Sequence, residues 1–368
     1  MYTNSLKFGL IGCGSFGVYC LNTFSGLKEI EIVAVADTDE GSAKRIGQQF
    51  GVEWYNNPIE LIQRHDIDLI HIATPPHTHY ELGVQAIKNG KHVLCEKPLA
   101  LSLEEAEEML KLAEQMNIII PVDFVLRYVP IVDIIKNTIQ SRVLGNPIHA
   151  YFENYASDEG LSQNHWFWDE HKSGGIFIEH AVHFFDLYSY WFGETKVLWA
   201  NSQIRHNTNQ RDRVFCVLQH DDVLSNHYHG FDQPNILDRQ THKILFETGD
   251  VTVNGWIPIS FSLNGIVDDE QIDILTSMCP NGKLTVIEDI ETSNQKMRGR
   301  GKLIKVTKRI HFQYSSPLGK TEVYAQAVRN LLLDQIRFIQ NPNHERIITE
   351  SNGVNALKLA LKAVQLSK

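Results

Sequence analysis

Leu6-Lys7-Phe8-Gly9-Leu10-Ile11-Gly12-Cys13-Gly14-Ser15-Phe16-Gly17 is an apolar run that breaks into three spaced glycines, and its reading decides the fold. Gly12, Gly14 and Gly17 form G-x-G-x-x-G directly after an expected strand and before an expected helix, the context this motif requires. The first glycine permits a tight turn, the second lets a pyrophosphate approach the backbone, and the third lets helix and strand pack closely. The anion then meets the helix N-terminus, with Ser15 and Phe16 inside the same loop. Asp37 closes the next apolar run about twenty residues beyond Gly17, where a carboxylate accepts hydrogen bonds from ribose hydroxyls. Its charge would repel a ribose 2′-phosphate, and Thr38 and Asp39 follow it rather than a cation, so NAD is favoured over NADP. Lys44 and Arg45 lie further along and could still bend toward a phosphate.

Working outward, the apolar runs 6–12, 31–37, 68–74, 92–96 and 117–122 alternate with amphipathic stretches. One of these stretches, Leu103 to Met116, is preceded by Ser102 as N-cap with Glu105 three residues on. Runs without polar alternation suit a parallel sheet covered on both faces. After about residue 147 the texture changes: residues 148–155, 197–206, 214–220, 224–231, 242–246 and 303–312 alternate apolar and polar, as an antiparallel sheet with one covered face does. A helical pattern at 174–192 interrupts them, and helices at 323–340 and 353–366 close the chain. The expected fold is an α/β Rossmann domain with a doubly wound parallel sheet, residues 1–123, followed by an α+β domain, residues 124–368, whose closing helices could pack back on the first.

With 368 residues, 43% hydrophobic and 21% charged, the chain is long enough for two cores and carries no mark of disorder. A formal net charge of −10 gives no electrostatic footprint for nucleic acid. The one basic stretch, Lys296 to Lys308, is interleaved with apolar residues and reads as a solvated strand face. The start of the chain reads straight into a strand without a leader, and no segment is apolar for long enough to span a bilayer, so no membrane partner is expected. Cys13, Cys20, Cys95, Cys216 and Cys279 are widely spaced and form no C-x-x-C pair, which reads as reduced cysteines of a cytoplasmic protein.

Glu96-Lys97-Pro98, after His92-Val93-Leu94-Cys95, resembles the E-K-P signature of the Gfo/Idh/MocA oxidoreductases, the glucose-fructose oxidoreductase and inositol dehydrogenase group. Thr74-Pro75-Pro76 with His79 resembles that family's T-P-x-x-x-H turn, and Arg127-Tyr128 with Pro130 its R-[FY]-x-P. Ser173-Gly174-Gly175 followed by Glu179 and His183 resembles its glycine-opened helix bearing D-x-x-x-H, with Glu179 where Asp is common and Ala181 where Gly is common. The correspondence runs from residue 6 to about 195. The resemblance implies a large open, mostly antiparallel sheet in the second domain, homodimers or homotetramers built through it, and hydride transfer between a nicotinamide and a carbinol carbon. It also implies cofactor contacts at Gly12, Gly14, Ser15, Phe16, Gly17, Asp37, Thr74, Pro75, His79, Glu96 and Lys97.

Oxidising a secondary alcohol requires a base within hydrogen-bond reach of the hydroxyl and with a suitable pKa, which fits His183. Lys97 follows a strand at its carboxyl end, where open α/β sheets bind ligands, and its ammonium could stabilise alkoxide charge. Glu179 and His183 project from one helix face, so the carboxylate either orients the imidazole or meets substrate hydroxyls. Lys97, Arg127, Tyr128, Trp166, Glu179, His180 and His183 are the expected substrate contacts, Arg127 being able to bind a hydroxyl, a carboxylate or Glu96. Glu179, His180 or His183, or His227 and His229 with their H-x-H spacing, offer metal-ligand chemistry, but hydride transfer needs no metal and none is expected. The expected substrate is a sugar, keto-sugar, cyclitol or related polyol. The alternative is a nucleotide-binding sensor without turnover.

Overall fold

The structure, a computed structural model, describes residues 5–290, 297–299, 302–304 and 307–368. It forms two compact units, the first holding the chain up to Arg127 with Ser162–Asp186 and Ala325–Gln365, the second holding Tyr128–Leu161, Leu187–Tyr324 and the last residues.

The first unit alternates strand and helix: β1 (Leu6–Ile11), α1 (Ser15–Phe24), β2 (Ile30–Ala36), α2 (Glu40–Phe50), β3 (Glu53–Tyr55), α3 (Pro58–Ile62), β4 (Leu69–Ile72), α4 (His79–Lys88), β5 (His92–Cys95) and α5 (Leu103–Met116). The strands pair in parallel in the order β3-β2-β1-β4-β5. The order reverses between β1 and β4, so the loops after those two strands flank the point where such sheets bind ligands. Phe8, Leu10, Ile11, Ile70 and Ile72 are fully buried, which is why these strands read as unbroken apolar runs. Ser102 and Glu105 close the expected capping box on α5.

Two expectations need correction. Residues 117–122 follow β5 only through single bonds such as Val93 N to Ile119 O (2.9 Å) and Cys95 N to Pro121 O (3.0 Å), with an isolated bridge at Val122; Pro121 has no N–H to continue a ladder. The short edge strand β3, Glu-Trp-Tyr, was hidden by its length.

Beyond Arg127 the chain continues with α6 (Pro130–Ser141) and β6 (Pro147–Tyr155), both in the second unit. After α7 (Glu170–Ser173) and α8 (Val182–Phe192) come β7 (Thr195–Ile204), β8 (Arg211–His220), β9 (Val223–Gly230), β10 (Arg239–Phe246), β11 (Gly249–Asn254), β12 (Ser260–Val267), α9 (Asp269–Met278) and β13 (Lys283–Asp289). A two-stranded ribbon, β14 (Met297–Gly299) with β15 (Lys302–Ile304), precedes β16 (Lys308–Ser315), α10 (Lys320–Gln340) and α11 (Glu350–Leu366); of these later elements α7, the start of α8, most of α10 and nearly all of α11 belong to the first unit. Among the described residues the large sheet has nine strands, β13-β16-β12-β11-β10-β6-β9-β8-β7, antiparallel except where β6 meets β9. One face is buried, with Phe152, His227, His242, Ile244, Val251, Leu263 and Phe312 on it. The solvated-face reading of Lys296 to Lys308 turns on the exposure of side chains that, up to residue 306, lie outside what is described.

Candidate active site

The glycine loop follows β1. Gly12 has φ +104°, and a Cβ there would lie 2.3 Å from the Ala73 carbonyl oxygen. A Cβ on Gly17 would lie 2.1 Å from the Gly12 oxygen, so this position sets the closeness of α1 to the loop. Gly14 differs: it is the N-cap of α1, no side chain caps it, and a Cβ would meet nothing within 4 Å. The first N–H groups of α1 therefore face an open cradle beside exposed Ser15 and half-buried Phe16. At the end of β2 the Asp37 carboxylate accepts from Cys13 N (2.7 Å) and Asp39 N (2.8 Å), which fixes it beside the loop. An open backbone cradle with a carboxylate at its side fits a dinucleotide.

The loop after β4 carries Thr74 and Pro75. Thr74 Oγ1 is 2.6 Å from Thr78 Oγ1, which donates to the Pro75 carbonyl. His79 is fully buried, with Nδ1 2.7 Å from the Pro98 carbonyl oxygen and Nε2 2.7 Å from that of Thr74. It thus ties the Thr74 loop to the Glu96-Lys97-Pro98 turn, whose Lys97-Pro98 bond is cis.

Lys97 leaves the end of β5 and donates to the Glu179 carbonyl (2.8 Å) and to Glu179 Oε1. Glu179 and His180 lie in a single π-helical turn, Phe177–Ala181, rather than the plain α-helix expected from residue 174. Such turns widen the helix and are frequent at functional sites. The preceding Gly174 and Gly175 both have positive φ, +78° and +80°, so the chain turns sharply into that helix. The carboxylate of Glu179 therefore pairs with the Lys97 ammonium, a contact that its spacing from His183 did not indicate.

His183 is 6% exposed, edge-on to Phe124 at 6.1 Å between ring centres. Burial, and then the Lys97 charge, hold its pKa well below the usual histidine range, so its ring is neutral near pH 7. His180 is lowered likewise by burial, Lys97 and His183.

Other expected contacts are placed differently. Arg127 meets neither Glu96 nor open space through its Nε and Nη2, which clasp Asp186 at 2.8 and 2.7 Å; its Nη1 donates to the Ile347 carbonyl at 3.1 Å. Tyr128, 8% exposed, belongs to the second unit. Trp166 opens a 3-10 turn, Trp166–Trp168, and is half-buried beside His165. His227 and His229 do share one face of β9, but that face is the buried core of the second unit. Among the described residues the group that could hold a metal is a different one, His71, Glu96 and Asp123. Sequence reasoning missed it because its members stand alone on three separate runs.

A phosphate cradle, a ribose-side carboxylate and a lysine at the end of β5 define a Rossmann-type oxidoreductase. Two family models match: residues 6–124 fit "Oxidoreductase family, NAD-binding Rossmann fold", and residues 132–249 fit the "GFO/IDH/MocA C-terminal domain". The chain belongs to the GFO/IDH/MocA oxidoreductase family, and its residues 6–124 form the NAD-binding domain of that family. Scyllo-inositol 2-dehydrogenase (NAD(+)) of Bacillus subtilis is 31% identical over 192 residues, covering 52% of this chain and 55% of that protein. Glucose-6-phosphate 3-dehydrogenase of the same organism is 31% identical over 211 residues, covering 56% of this chain and 59% of its own length. The chain thus spans somewhat over half the length of these curated relatives. An oxidoreductase from Agrobacterium radiobacter, solved with NAD+, L-tartaric acid and magnesium, shares the fold with a TM-score of 0.75 at 18% identity, over 99% of this chain and 96% of that one.

Proposed function

We propose that this chain transfers hydride between NAD(H) and a secondary alcohol or ketone of a sugar, cyclitol or related polyol. The observation that carries the reading is the Lys97 ammonium at the end of β5, held by Glu179 beside a buried neutral His183. When bound, NAD supplies the hydride acceptor. An ammonium has three donors, and Lys97 directs two at Glu179, leaving the third for the substrate oxygen. There it binds the carbonyl or nascent alkoxide and stabilises its negative charge. The His183 ring, kept neutral, accepts the hydroxyl proton, and its burial keeps bulk water from competing. Glu179 fixes the Lys97 side chain, so the extra methylene relative to Asp serves reach toward the ammonium.

In this reading residues 1–123 bind the nucleotide and residues 124–368 shape the substrate pocket and the oligomer. Trp166 and His180 complete the pocket wall, Arg127 braces it through Asp186, and Thr74, Pro75, His79 and Glu96 shape the floor under the nicotinamide. Asp37, without a following cation, favours NAD over NADP. Homodimers or homotetramers form through the large sheet, whose outer surface exposes Leu198, Trp199, Leu224 and Leu245. The five cysteines are free and buried, which supports a reducing, cytoplasmic setting. Among the described residues no helix is long and apolar enough to cross a membrane.

The test is NADH formation with a panel that includes scyllo-inositol, myo-inositol and glucose 6-phosphate, run on the parent and on Lys97→Ala. Removing a positioned proton-transfer or oxyanion group lowers kcat by about 10²-fold or more, while NAD affinity is expected to stay within about threefold. NAD binding with no turnover of any panel member favours the sensor, and equal kcat in Lys97→Ala removes Lys97 from the reaction.

A further inference from the structure

Three titratable side chains meet at one buried point next to the Lys97 turn: His71 from β4, Glu96 from the end of β5, and Asp123 from the segment beyond Val122. They are 0%, 9% and 2% exposed. His71 Nε2 lies 3.1 Å from Glu96 Oε1, and one ligand atom from each residue lies within 4.8 Å of the others. From α1, Phe16 and Phe24 pack on the His71 ring at 6.5 and 6.2 Å, and Cys20 is close enough for its thiol to be pushed up by both carboxylates after burial itself. Lys97 and Glu179 are the other charged groups that Glu96 senses. His71 and Asp123 have no task in the hydride transfer derived above, and Glu96 has there only its place under the nicotinamide.

Two carboxylates this close in a dry interior cannot both ionise. Burial raises Glu96 to about 7 and Asp123 well above the carboxylate range, while burial lowers His71 to about 4. Both Asp123 oxygens are buried and no donor reaches them, so an ionised carboxylate would go unsatisfied there, whereas a protonated one can donate toward the Glu96 carboxylate within 4.8 Å.

We propose that Asp123 stays protonated and donates to Glu96, and that together with the His71 Nε2–H it holds Glu96 as a singly charged counter-ion behind Lys97. Asp123 and His71 are then positioning residues for Glu96. Only the last step, the effect on Lys97, rests on the function proposed above. Two donors converging on one carboxylate keep its charge in place at neutral pH. Without the Asp123 proton, Glu96 has one donor fewer and takes up its own proton at higher pH.

Infrared spectroscopy of the full chain at neutral pH tests this without cofactor or substrate. A protonated-carboxyl C=O stretch is expected that shifts when aspartate carboxyl carbons are isotopically labelled and disappears in Asp123→Asn. The Asn amide still donates to Glu96, so that variant is expected to melt within about 2 °C of the parent, whereas Asp123→Leu melts several degrees lower. In turnover assays Asp123→Leu moves the acidic limb of the kcat profile to higher pH, and Asp123→Asn leaves it in place. Three results would overturn the proposal: no such band, a band that follows labelled glutamate instead, or one equivalent of zinc bound by the parent and lost in Asp123→Asn, since the same donors would then be metal ligands. The labelling result stands on the parent alone should either variant not fold. A chain with the aspartate band and no polyol turnover sinks the proposed function and leaves the shared proton intact.

Discussion

The three glycines of the first loop do different work, and single methyl groups separate their tasks. At Gly17 an added Cβ would sit 2.1 Å from a backbone oxygen that cannot move without displacing α1 from β1. At Gly14 it would meet no protein atom within 4 Å and would occupy only the space a pyrophosphate requires. Gly14→Ala is therefore expected to keep the parent's melting temperature while NAD affinity falls about tenfold, near 1.4 kcal/mol. Gly17→Ala loses both. Calorimetry paired with NAD titration reads the split, and equal losses in the two variants would mean that Gly14 is not the open side of the cradle. These roles were legible in the sequence because they follow from chain neighbours alone. The Lys97 contact with Glu179 was not, since its partners are 82 positions apart and either could have faced another group. The same holds for Arg127, where Asp186, 59 positions away, took the guanidinium that a free hydroxyl or Glu96 might have shared in the sequence reading.

At the scale of elements, strands with strong apolar patterns were readable and weakly patterned ones were not. β11 places Val251 and Val253 inward but opens on Gly249, and α9 buries Leu275 alone, too little for a periodic pattern, its start being fixed by a capping box of Asp268 and Gln271. The π-helical turn had no signal, because Phe177–Ala181 has an ordinary helix-like pattern and its widening depends on the turn imposed by Gly174 and Gly175. The histidines of β8, β9 and β10 have a consequence that pattern reading alone could not supply. His220, His227 and His242 form a buried layer against Phe152, Tyr188 and Phe192, with His220 Nε2 2.9 Å from Ser225 Oγ and that oxygen 3.1 Å from His227 Nε2. Burial lowers His220 to about 4 and His242 to about 3, with His227 also well below its usual value. An unfolded chain protonates these rings near pH 6.5, whereas the folded sheet resists doing so. The stability they allow is complete above that pH and is lost as the pH falls toward 4, at about 1.4 kcal/mol per pH unit for each ring. Melting temperatures measured between pH 7 and pH 5 should fall, and more shallowly in His242→Phe, whose ring keeps the contact with Phe152. A parent whose melting temperature is flat across that range would show that these rings titrate normally.

For the whole molecule, the assembly proposed above turns on the outer surface of the large sheet. Leu198 and Trp199 are neighbours on β7, yet 49% and 48% exposed, which strict alternation along a strand forbids. The register against β8 shifts between Val197 and Trp199, and the irregularity turns both side chains outward. Trp199 then lies 5.7 Å from Phe215, and Leu224 and Leu245 lie opposite His149 from either side, making an apolar surface across β7, β8, β9, β6 and β10. A free monomer would leave these groups in water at roughly 25 cal/mol for each Å² that association could cover. A twofold contact repeats each residue, so a charge placed at the centre is met by its own copy and repels it. Trp199→Lys combined with Leu224→Lys is accordingly expected to convert a homo-oligomeric parent to monomers in light scattering at micromolar concentration. The melting temperature of the first unit should hold, because its core shares no residue with that surface. An unchanged mass would assign the oligomer contact to another part of the chain and leave this apolar face without a role in assembly.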